Sequence, residues 1–445
     1  MSWRIVKLGD LVENFSVRAK DYGGSEGLDF CGVSNEEGII KTKYAAEDKA
    51  EDYKIIEKGC FAYNPYRVNV GSIGLVTDDF KGLISPAYVV FKPKPKTIIP
   101  ELLFKFLKSD EGLRQIRFYG RGTVRQALRF EDLCNIELSI PDYSEQEKLF
   151  KKLINSQEKS NILSTELSHQ LYLVKKLRKQ LLHDAVQGKL VPQNPNDEPA
   201  SELLKKINAE KQKLIAEGKL KKEKELPPIK AEEIPFEIPE GWVWCRLGEI
   251  TTLLTDGKHG DSKDQKDSGY YFLSAKDIQN GKFIYDNARQ ITYEDFIETH
   301  RRTNLEPGDL CVVNTGATIG KTAFAPDNEL TRKTTFQKSV AILKVLNHHT
   351  SMRFIEYFII FETPKLLKTS RGSAINNLLL GDMKNVLFPM PPLKEQLCIV
   401  QKLDELMQTC GDLEASIKES AAQNEKLLQQ VLREALRKEV KEVIV

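Results

Sequence analysis

Residues 141–146 read PDYSEQ, and residues 391–396 read PPLKEQ. The two hexapeptides share Pro, Glu and Gln at an offset of 250 residues, and the same offset relates further residues on both sides of them. These matches are Arg121-Gly122 with Arg371-Gly372, Leu128 with Leu378, Asp132 with Asp382, Leu153 with Leu403, and Leu177 with Leu427. A period of this size is too long for a solenoid and indicates two tandem domains that resemble each other.

Weaker matches upstream extend the repeat through the globular part of each copy. They are Trp3 and Leu8-Gly9-Asp10-Leu11 with Trp242 and Leu247-Gly248-Glu249-Ile250, and Asn64 and Ser72-Ile73-Gly74 with Asn314 and Thr318-Ile319-Gly320. In the first copy, short β-rich runs are separated by glycine and proline, and an apolar helical segment follows Pro100. We therefore expect an α+β fold in each copy, with a curled or barrel-like sheet rather than a doubly wound one.

A long helix is predicted after each globular part. From Ser144 to Ala185 apolar residues recur every three or four positions, and a matching stripe runs from Leu397 to Ala435. Such a seam predicts a coiled-coil helix of about 60–65 Å that ends near Gly188 and Pro192. Two equally long helices with one stripe each should pair, and antiparallel pairing would place the globular units at opposite ends of a rod.

These patterns divide the chain into five segments. They are a first globular domain (1–143), a central long helix (144–190), a charged linker bounded by prolines (191–240), a second globular domain (241–392) and a C-terminal long helix (393–445). Within the linker, residues 202–225 are helix-prone. The linker is either a connection with one exposed helix or a docking element for a partner.

Composition excludes some classes of protein. The chain has 66 basic and 64 acidic residues and a formal net charge of +2, so bulk charge does not indicate a nucleic-acid partner. Seven cysteines without a CxxC pair argue against a disulfide framework or a zinc knuckle and are expected to be core thiols. No apolar run approaches the ~20 residues of a membrane span, and no signal stretch opens the sequence. We expect a cytoplasmic protein.

Local charge is more informative than net charge. Residues 112–130 contain no acidic residue, whereas five arginines recur every three or four positions, at Arg114, Arg117, Arg121, Arg125 and Arg129. The corresponding stretch of the second copy, residues 365–377, is also basic and rich in amides. Such side chains suit phosphate neutralisation and contacts to base edges, although each stretch could also be a solvated helix face. Recurrence in both copies favours a binding surface.

Two motifs resemble catalytic loops and fail in detail. Residues 316–322 look like a phosphate-binding loop, but only three residues separate the glycines, and the following AFAP cannot form the helix that would hold phosphate. This loop is either a structural hairpin or a source of backbone amides for a DNA phosphate. Residues 64–67, NPYR, resemble the loop of amino-methylating enzymes but lack its second proline, and a turn is the better interpretation.

Two further polar features are uninformative on their own. The six histidines show no metal-ligand spacing. Residues 256–264 form a polar loop without a counterpart in the first copy, which suits a variable contact loop.

Taken together, the chain resembles the specificity subunit of type I restriction-modification enzymes. The resemblance rests on Trp-x(4)-Leu-Gly-(Asp/Glu) before each domain, Pro-x(3)-Glu-Gln at each helix start, the helix end at residues 181–193 and the linker at residues 234–242. It covers essentially the whole chain.

The resemblance implies a non-catalytic DNA reader with no cofactor or metal of its own. Each globular domain would be a target-recognition domain for one half of a bipartite, asymmetric site in double-stranded DNA. The long helices would set the gap between half-sites and bind two modification subunits, which methylate adenine N6 with S-adenosylmethionine. Restriction subunits would supply ATP- and Mg²⁺-dependent translocation and cleavage.

Candidate DNA-binding residues align between the copies or lie in the glycine loops. For base or phosphate contacts we predict Arg121, Thr123, Arg125 and Gln126 in the first copy and Arg371, Ser373, Asn376 and Asn377 in the second; for phosphates we predict Arg67, Ser72, Thr318 and Lys321. Two other classes of protein remain possible at this point. They are a coiled-coil scaffold that binds only proteins and an enzyme that uses the 316–322 loop for a nucleotide.

Overall fold

The structure is a computed structural model, and it describes residues 3–42, 47–121, 127–369 and 377–436. It divides into two compact units. The first contains the chain up to Ser168 together with the segment from Lys418 onward, and the second runs from His169 to Ile417. Each unit holds one globular domain and parts of both long helices.

The first unit mixes ten short strands with helices. Its strands are β1 (Arg4–Lys7), β2 (Val12–Asn14), β3 (Asp29–Ser34), β4 (Gly38–Lys41), β5 (Lys54–Glu57), β6 (Phe61–Tyr63), β7 (Ile73–Leu75), β8 (Lys81–Ile84), β9 (Val89–Pro93) and β10 (Glu137–Ile140). Its helices are α1 (Leu8–Leu11), α2 (Pro100–Leu107), α3 (Asp110–Tyr119), α4 (Phe130–Leu133) and the start of α5 (Tyr143–Val186).

The strands of the first unit form two four-stranded sheets and one separate pair. The sheet orders are β2-β9-β6-β7 and β4-β3-β8-β5, and β1 pairs with β10. The core between the first sheet and the helices is aromatic: the stacked rings of Phe61 and Phe91 lie 4.8 Å apart, and both side chains are fully buried. Consecutive residues of the inner strands are buried, including all three residues of β6 and both Val90 and Phe91 of β9, which explains the short apolar β-rich runs in the sequence.

The second unit begins with the later part of α5 and continues through helix α6 (Ala200–Ala216). Its strands are β11 (Val243–Arg246), β12 (Thr251–Asp256), β13 (Tyr271–Leu273), β14 (Ile278–Gln279), β15 (Lys282–Phe283), β16 (Leu310–Val313), β17 (Thr322–Phe324), β18 (Thr334–Phe336), β19 (Val340–Val345) and β20 (Leu387–Met390). Its other helices are α7 (Leu247–Ile250), α8 (Tyr293–Thr303), α9 (Met352–Thr369), α10 (Leu380–Asn385) and the start of α11 (Leu393–Leu436).

The strand topology of the second domain repeats that of the first. The sheet β12-β19-β16-β17 has the same order as β2-β9-β6-β7, and β11 pairs with β20 as β1 pairs with β10. Parallel pairing also recurs, between β3 and β8 and between β13 and β18. The domains differ beside this parallel pair, where β5 adds to β8 but helix α8 contacts β18. The prediction of two similar α+β domains is confirmed.

Backbone geometry shows how closely the strands correspond. Gly59 and Gly308 both have positive φ, 83° and 87°, and their N–H groups donate to Val76 and Ala325, each at 2.9 Å. These pairs are offset by 249 residues rather than 250. The hairpin registers agree as well. Tyr63 pairs with Ile73, and Val312 pairs with Thr322, so both strands of the hairpin keep the offset of 249 residues. The residue directly before the second strand of the hairpin is therefore Ser72, before β7, in the first domain and Lys321, before β17, in the second. Ser72 corresponds to Lys321, and not to Thr318 as the sequence match suggested.

The long helices pack against each other in antiparallel orientation, as predicted. Both are 44 residues long. In the first unit, Leu153 of α5 packs with Val431 of α11, and farther along α5 the Asn424 amide donates to the Ser160 carbonyl and the Ser164 hydroxyl, both at 3.0 Å. In the second unit, Arg178 lies 3.2 Å from Glu414. Residue numbers rise along one helix as they fall along the other.

The repeated Glu-Gln dipeptide has a structural role at each helix start. Gln146 is buried; its Oε1 accepts from the Ile99 N–H at 3.1 Å, and its Nε2 donates to the Pro141 carbonyl at 3.0 Å. Gln396 does the same with the Ser351 N–H at 2.8 Å and the Pro391 carbonyl at 2.9 Å. Ile99 and Ser351 directly precede α2 and α9. Each glutamine thus joins the start of a long helix to the start of a domain helix.

The linker helix is shorter than predicted and is not fully exposed. Helix α6 ends at Ala216, and Gly218 follows with a φ of 70°. Leu203 and Ile207 are buried, and Lys211 Nζ donates to the Gly248 and Glu249 carbonyls at 3.1 and 2.8 Å. The apolar face of α6 is therefore packed within the second unit, while its other face carries the charges that the sequence displays.

Two sequence predictions concern membrane spans and thiols. Among the described residues, no helix combines the length and the apolar character needed to cross a bilayer. All seven cysteines are free. Five are buried as expected, but Cys134 is half-buried and Cys398 is exposed on α11, so the prediction of core thiols is wrong for these two.

Candidate nucleic-acid interface

In the first domain, the loop between β6 and β7 contacts the arginine-rich stretch. The Leu128 N–H donates to the Pro65 carbonyl at 3.0 Å, and Arg117 Nε donates to the Asn69 carbonyl at 3.2 Å. Two segments that are distant in the sequence therefore form one surface, to which Arg67 and Arg121 belong. We name this surface, residues 64–72 with 117–128, the first loop pair; its residues 122–126 lie outside the described part of the chain.

Asn64 fixes the conformation of the β6–β7 loop. Its Oδ1 accepts from the Tyr66 N–H at 3.0 Å, and its carbonyl accepts from the Arg67 N–H at 3.0 Å. This side-chain turn confirms the interpretation of residues 64–67 as a turn rather than a methyltransferase loop. Tyr66 and Arg67 are exposed at its tip. An exposed ring and guanidinium suit contact with a nucleic-acid backbone or base.

Arg121 is held through both its backbone and its side chain. Its backbone exchanges two hydrogen bonds with Ala127, at 3.0 and 2.8 Å, and its guanidinium lies 2.7 Å from the carboxylate of Asp132. Thr123, Arg125 and Gln126, which the sequence predicts to contact DNA, lie outside the described residues. The Arg121 side chain nevertheless stays 79% exposed, so it can still reach a partner.

The basic stretch is less positive than its sequence suggests. The carboxylates that neutralise it come from just outside residues 112–130: Glu111 forms a bidentate pair with Arg114, at 2.8 and 2.6 Å, and Asp132 pairs with Arg121. In addition, the Glu111–Arg114 pair lowers the pKa of Glu111, mainly through the hydrogen bond from Arg114. Arg114 is therefore a poorer candidate for phosphate binding than Arg67.

The buried position of Ser72 disfavours the predicted contact with a phosphate. Its side chain is only 5% exposed, and its hydroxyl donates to the Val33 carbonyl at 3.4 Å. The preceding Gly71 has a φ of 88°, and a Cβ at that position would lie 2.7 Å from Asn35 Oδ1. The chain thus turns inward at this point, and the serine packs against β3 instead of facing solvent.

The second domain brings the corresponding segments together. The Leu378 N–H donates to the Asn314 carbonyl at 2.7 Å, and the Thr315 hydroxyl donates to Asn377 Oδ1 at 2.8 Å. We name residues 314–321 with 377–378 the second loop pair. Lys321 is exposed, whereas Thr318 and Asn377 are half-buried. The other predicted residues, Arg371, Ser373 and Asn376, lie outside the described part of the chain.

The loop that resembles a phosphate-binding loop has a different geometry. Gly316 and Gly320 have positive φ values of 105° and 86°, and a Cβ on Gly320 would lie 2.7 Å from Thr363 Cγ2. Lys321 is followed directly by strand β17, whereas a phosphate-binding loop needs a helix N-terminus at that point. The glycines therefore form a tight hairpin that packs against α9, which disfavours a nucleotide site.

A partly buried polar network that the sequence analysis missed supports the second loop pair. The hydroxyl of Thr322, next to Lys321, donates to the buried Glu356 at 2.7 Å, and Glu356 pairs with Arg353. Arg353 in turn lies 2.9 Å from Asp404 on α11, which also accepts from Tyr357. Desolvation is the largest cause that raises the pKa of Tyr357, so its hydroxyl keeps its proton and donates. The network fastens the strand beside the loop to a long helix.

The polar loop at residues 256–264 is held by several ion pairs. Asp256 contacts Arg302 and His259, and Lys258 lies 2.7 Å from both Asp295 and Glu298. The hydrogen bond that Lys258 donates to Asp295 is the largest cause that raises the pKa of Lys258. Much of the charge that made this loop a contact candidate is therefore engaged within the domain.

Comparison with known proteins gives the family. A family model described as "Type I restriction modification DNA specificity domain" matches residues 1–172 and 239–423. The chain belongs to this family. Its two matched regions coincide with the two repeated domains and parts of the long helices. The expectation drawn from the Pro-x(3)-Glu-Gln and Trp-x(4)-Leu-Gly patterns is confirmed.

Named relatives within the type I specificity family are similar over different lengths. The EcoAI specificity subunit of Escherichia coli is 37% identical over 272 residues, which span 59% of this chain but only 44% of that subunit. The EcoDI specificity subunit of Escherichia coli is 22% identical over 99% of this chain and 89% of its own length. These relatives are specificity subunits, in agreement with the expectation that the chain is a specificity subunit rather than an enzyme.

Solved structures share the fold of this specificity-family chain. The HsdS subunit from Thermoanaerobacter tengcongensis aligns with a TM-score of 0.59 at 19% identity, over 98% of this chain and 96% of that one. A chain from a study of complex assembly and conformational transition of the type I R-M system aligns with a TM-score of 0.61 at 20% identity, over 98% and 97%. At these identities the likeness concerns the fold.

Proposed function

We propose that this chain is the DNA-reading subunit of a type I restriction-modification complex and that each domain reads one half of a bipartite, asymmetric site. The observation that carries the proposal is the recurrence of the loop pair. Each domain joins a hairpin loop to the segment after a basic stretch, but the exposed side chains differ. The first loop pair presents the exposed Arg67 and Arg121, and the second presents the exposed Lys321 beside the half-buried Asn377. One scaffold with two sets of contacts suits two different half-sites.

The catalytic work is assigned to partner subunits. Two modification subunits would methylate adenine N6 with S-adenosylmethionine, and restriction subunits would use ATP and Mg²⁺ to translocate and cut DNA. The long paired helices α5 and α11 offer an extended surface for the modification subunits. The assembly described for the related type I system supports a role in a complex, and such a complex would act in the cytoplasm on the host's own DNA.

The test is a methylation map of host DNA with and without the gene. Single-molecule sequencing should find N6-methyladenine in a two-part motif with an unspecified centre, and the motif should vanish on deletion and return with the intact gene. Unchanged methylation would contradict the proposal. Binding to the modification subunit without any effect on methylation would instead support a protein-only scaffold.

A further inference from the structure

Three side chains from distant parts of the second unit converge at the packed face of the linker helix. Glu210 lies on α6, and His348 and His349 lie in the turn that follows β19. One carboxylate oxygen, Oε2 of Glu210, is 2.8 Å from Nε2 of His348 and 3.2 Å from Nε2 of His349. One atom from each of the three residues lies within 4.8 Å of the other two.

Both elements that carry these residues are held in place. Glu210 is on the same face of α6 as the buried Leu203 and Ile207, and the next residue, Lys211, binds two carbonyls of the domain. On the other side, the Leu346 carbonyl accepts from the N–H groups of His349 and Thr350, at 2.8 and 3.1 Å. The cluster is therefore presented by fixed backbone rather than by a free loop.

We propose that Glu210, His348 and His349 form a binding site for a divalent transition-metal ion of the zinc class. Two imidazole nitrogens and a carboxylate oxygen are a ligand set that zinc prefers, with metal–ligand distances of about 2.0–2.2 Å. At a tetrahedral angle such bonds separate the ligand atoms by about 3.3–3.5 Å. The observed separations from Glu210 are close to this value, so small side-chain rotations suffice.

The surroundings suit an ion that is bound at a surface. The His348 side chain is 59% exposed, which gives the ion a path of entry and leaves room for water to complete its coordination. The bound ion would clamp the linker helix to the turn before α9. Its role is structural.

The chain offers a matched control for this site. His259 is also 59% exposed and also contacts a carboxylate, with its Nε2 2.8 Å from Oδ2 of Asp256. It belongs to a two-residue pair rather than to a three-residue cluster. The variant His259→Ala should therefore leave metal binding unchanged. Cys398→Ser should leave it unchanged too, because the exposed thiol is not a ligand of the proposed site.

The experiment measures metal binding to the full-length chain without a histidine tag. Calorimetry with Zn²⁺, and visible absorption with Co²⁺, should detect one ion per chain and nitrogen–oxygen rather than thiolate ligation. The ion should raise the melting temperature in a concentration-dependent way. Glu210→Gln, His348→Ala and His349→Ala should each weaken binding by about tenfold or more. Circular dichroism of the metal-free variants checks that they are folded. If His349→Ala is not folded, His349→Gln replaces it.

Two results would overturn the proposal. One is an intact chain that binds neither ion under conditions where the metal-free protein is folded. The other is an ion that binds as tightly to the folded Glu210, His348 and His349 variants as to the intact chain. Loss of binding in Cys398→Ser with the three site variants unaffected belongs to this second result.

Discussion

Arg121 and Asp132 form an ion pair in which the two partners differ sharply in exposure. Nη2 of Arg121 lies 2.7 Å from Oδ1 of Asp132, and the carboxylate side chain is 4% exposed whereas the arginine is 79% exposed. A buried acceptor thus holds an exposed guanidinium. Because the arginine end of the pair is exposed to water, which screens its attraction to the carboxylate, the pair is better suited to orient Arg121 than to stabilise the fold.

We therefore expect Asp132→Asn to impair recognition by the first domain. The reconstituted methyltransferase should lose discrimination at one half-site, on the order of tenfold to a hundredfold, the range of one good base contact. Methylation rates of duplexes with single substitutions in either half-site provide the measurement. Glu111→Gln is the matched control, because it removes the carboxylate of an exposed arginine pair. Equal loss at both half-sites would show general damage instead.

Lys321 and Ser72 occupy equivalent positions before β17 and β7, but only Lys321 is exposed. Lys321→Ala should weaken binding of all DNA sequences and reduce the slope of log K against log salt by about 0.9, the value of one lost phosphate contact. Fluorescence anisotropy of the assembled complex at several salt concentrations measures this slope. Ser72→Ala should leave it unchanged. An unaltered slope for Lys321→Ala would remove this residue from the interface.

The contrast between Ser72 and Lys321 also shows what the sequence could predict. The 250-residue repeat predicts both domains, both long helices and their pairing, because apolar spacing and turn residues are local signals. The exposure of Ser72 depends on Val33, which reaches it through the fold of a different sheet. The two hairpin loops are equally long, since Tyr63 pairs with Ile73 and Val312 with Thr322, so the match of Ser72 with Thr318 followed local sequence similarity rather than strand register.

Clusters whose residues come from distant segments cannot be predicted from the spacing of residues in the sequence. Glu210 and His348 are 138 residues apart, so no ligand motif links them, and the search for histidine spacing found nothing. The same holds for the network from Thr322 through Glu356 to Asp404. Its members come from β17, α9 and α11, and only their packing in the second unit brings them into contact.

Gln396 should be essential to the stability of the second unit. Replacing it with leucine leaves the Ser351 N–H and the Pro391 carbonyl without their buried partner, which should lower the free energy of unfolding by about 2–5 kcal/mol. Urea denaturation followed by tryptophan fluorescence suits the test, because two of the three tryptophans, Trp242 and Trp244, lie in this unit. The exposed Gln401, also on α11, is the control, and its leucine variant should stay within about 0.5 kcal/mol. Similar losses in both variants would contradict the role of the buried amide.

The paired helices make a further prediction about the gap between the half-sites. Four residues inserted in α5 near Ser160 and four in α11 near Asn424 would keep the helices paired, since these two residues contact each other. Each insertion adds about 6 Å, close to two base-pair steps of 3.4 Å. The methylated motif should therefore gain about two base pairs in its unspecified centre, as read by single-molecule sequencing. The same insertion after Gly218, beyond the end of α6, should leave the motif unchanged. If the paired insertion preserves methylation but not the longer gap, the helices do not set the spacing.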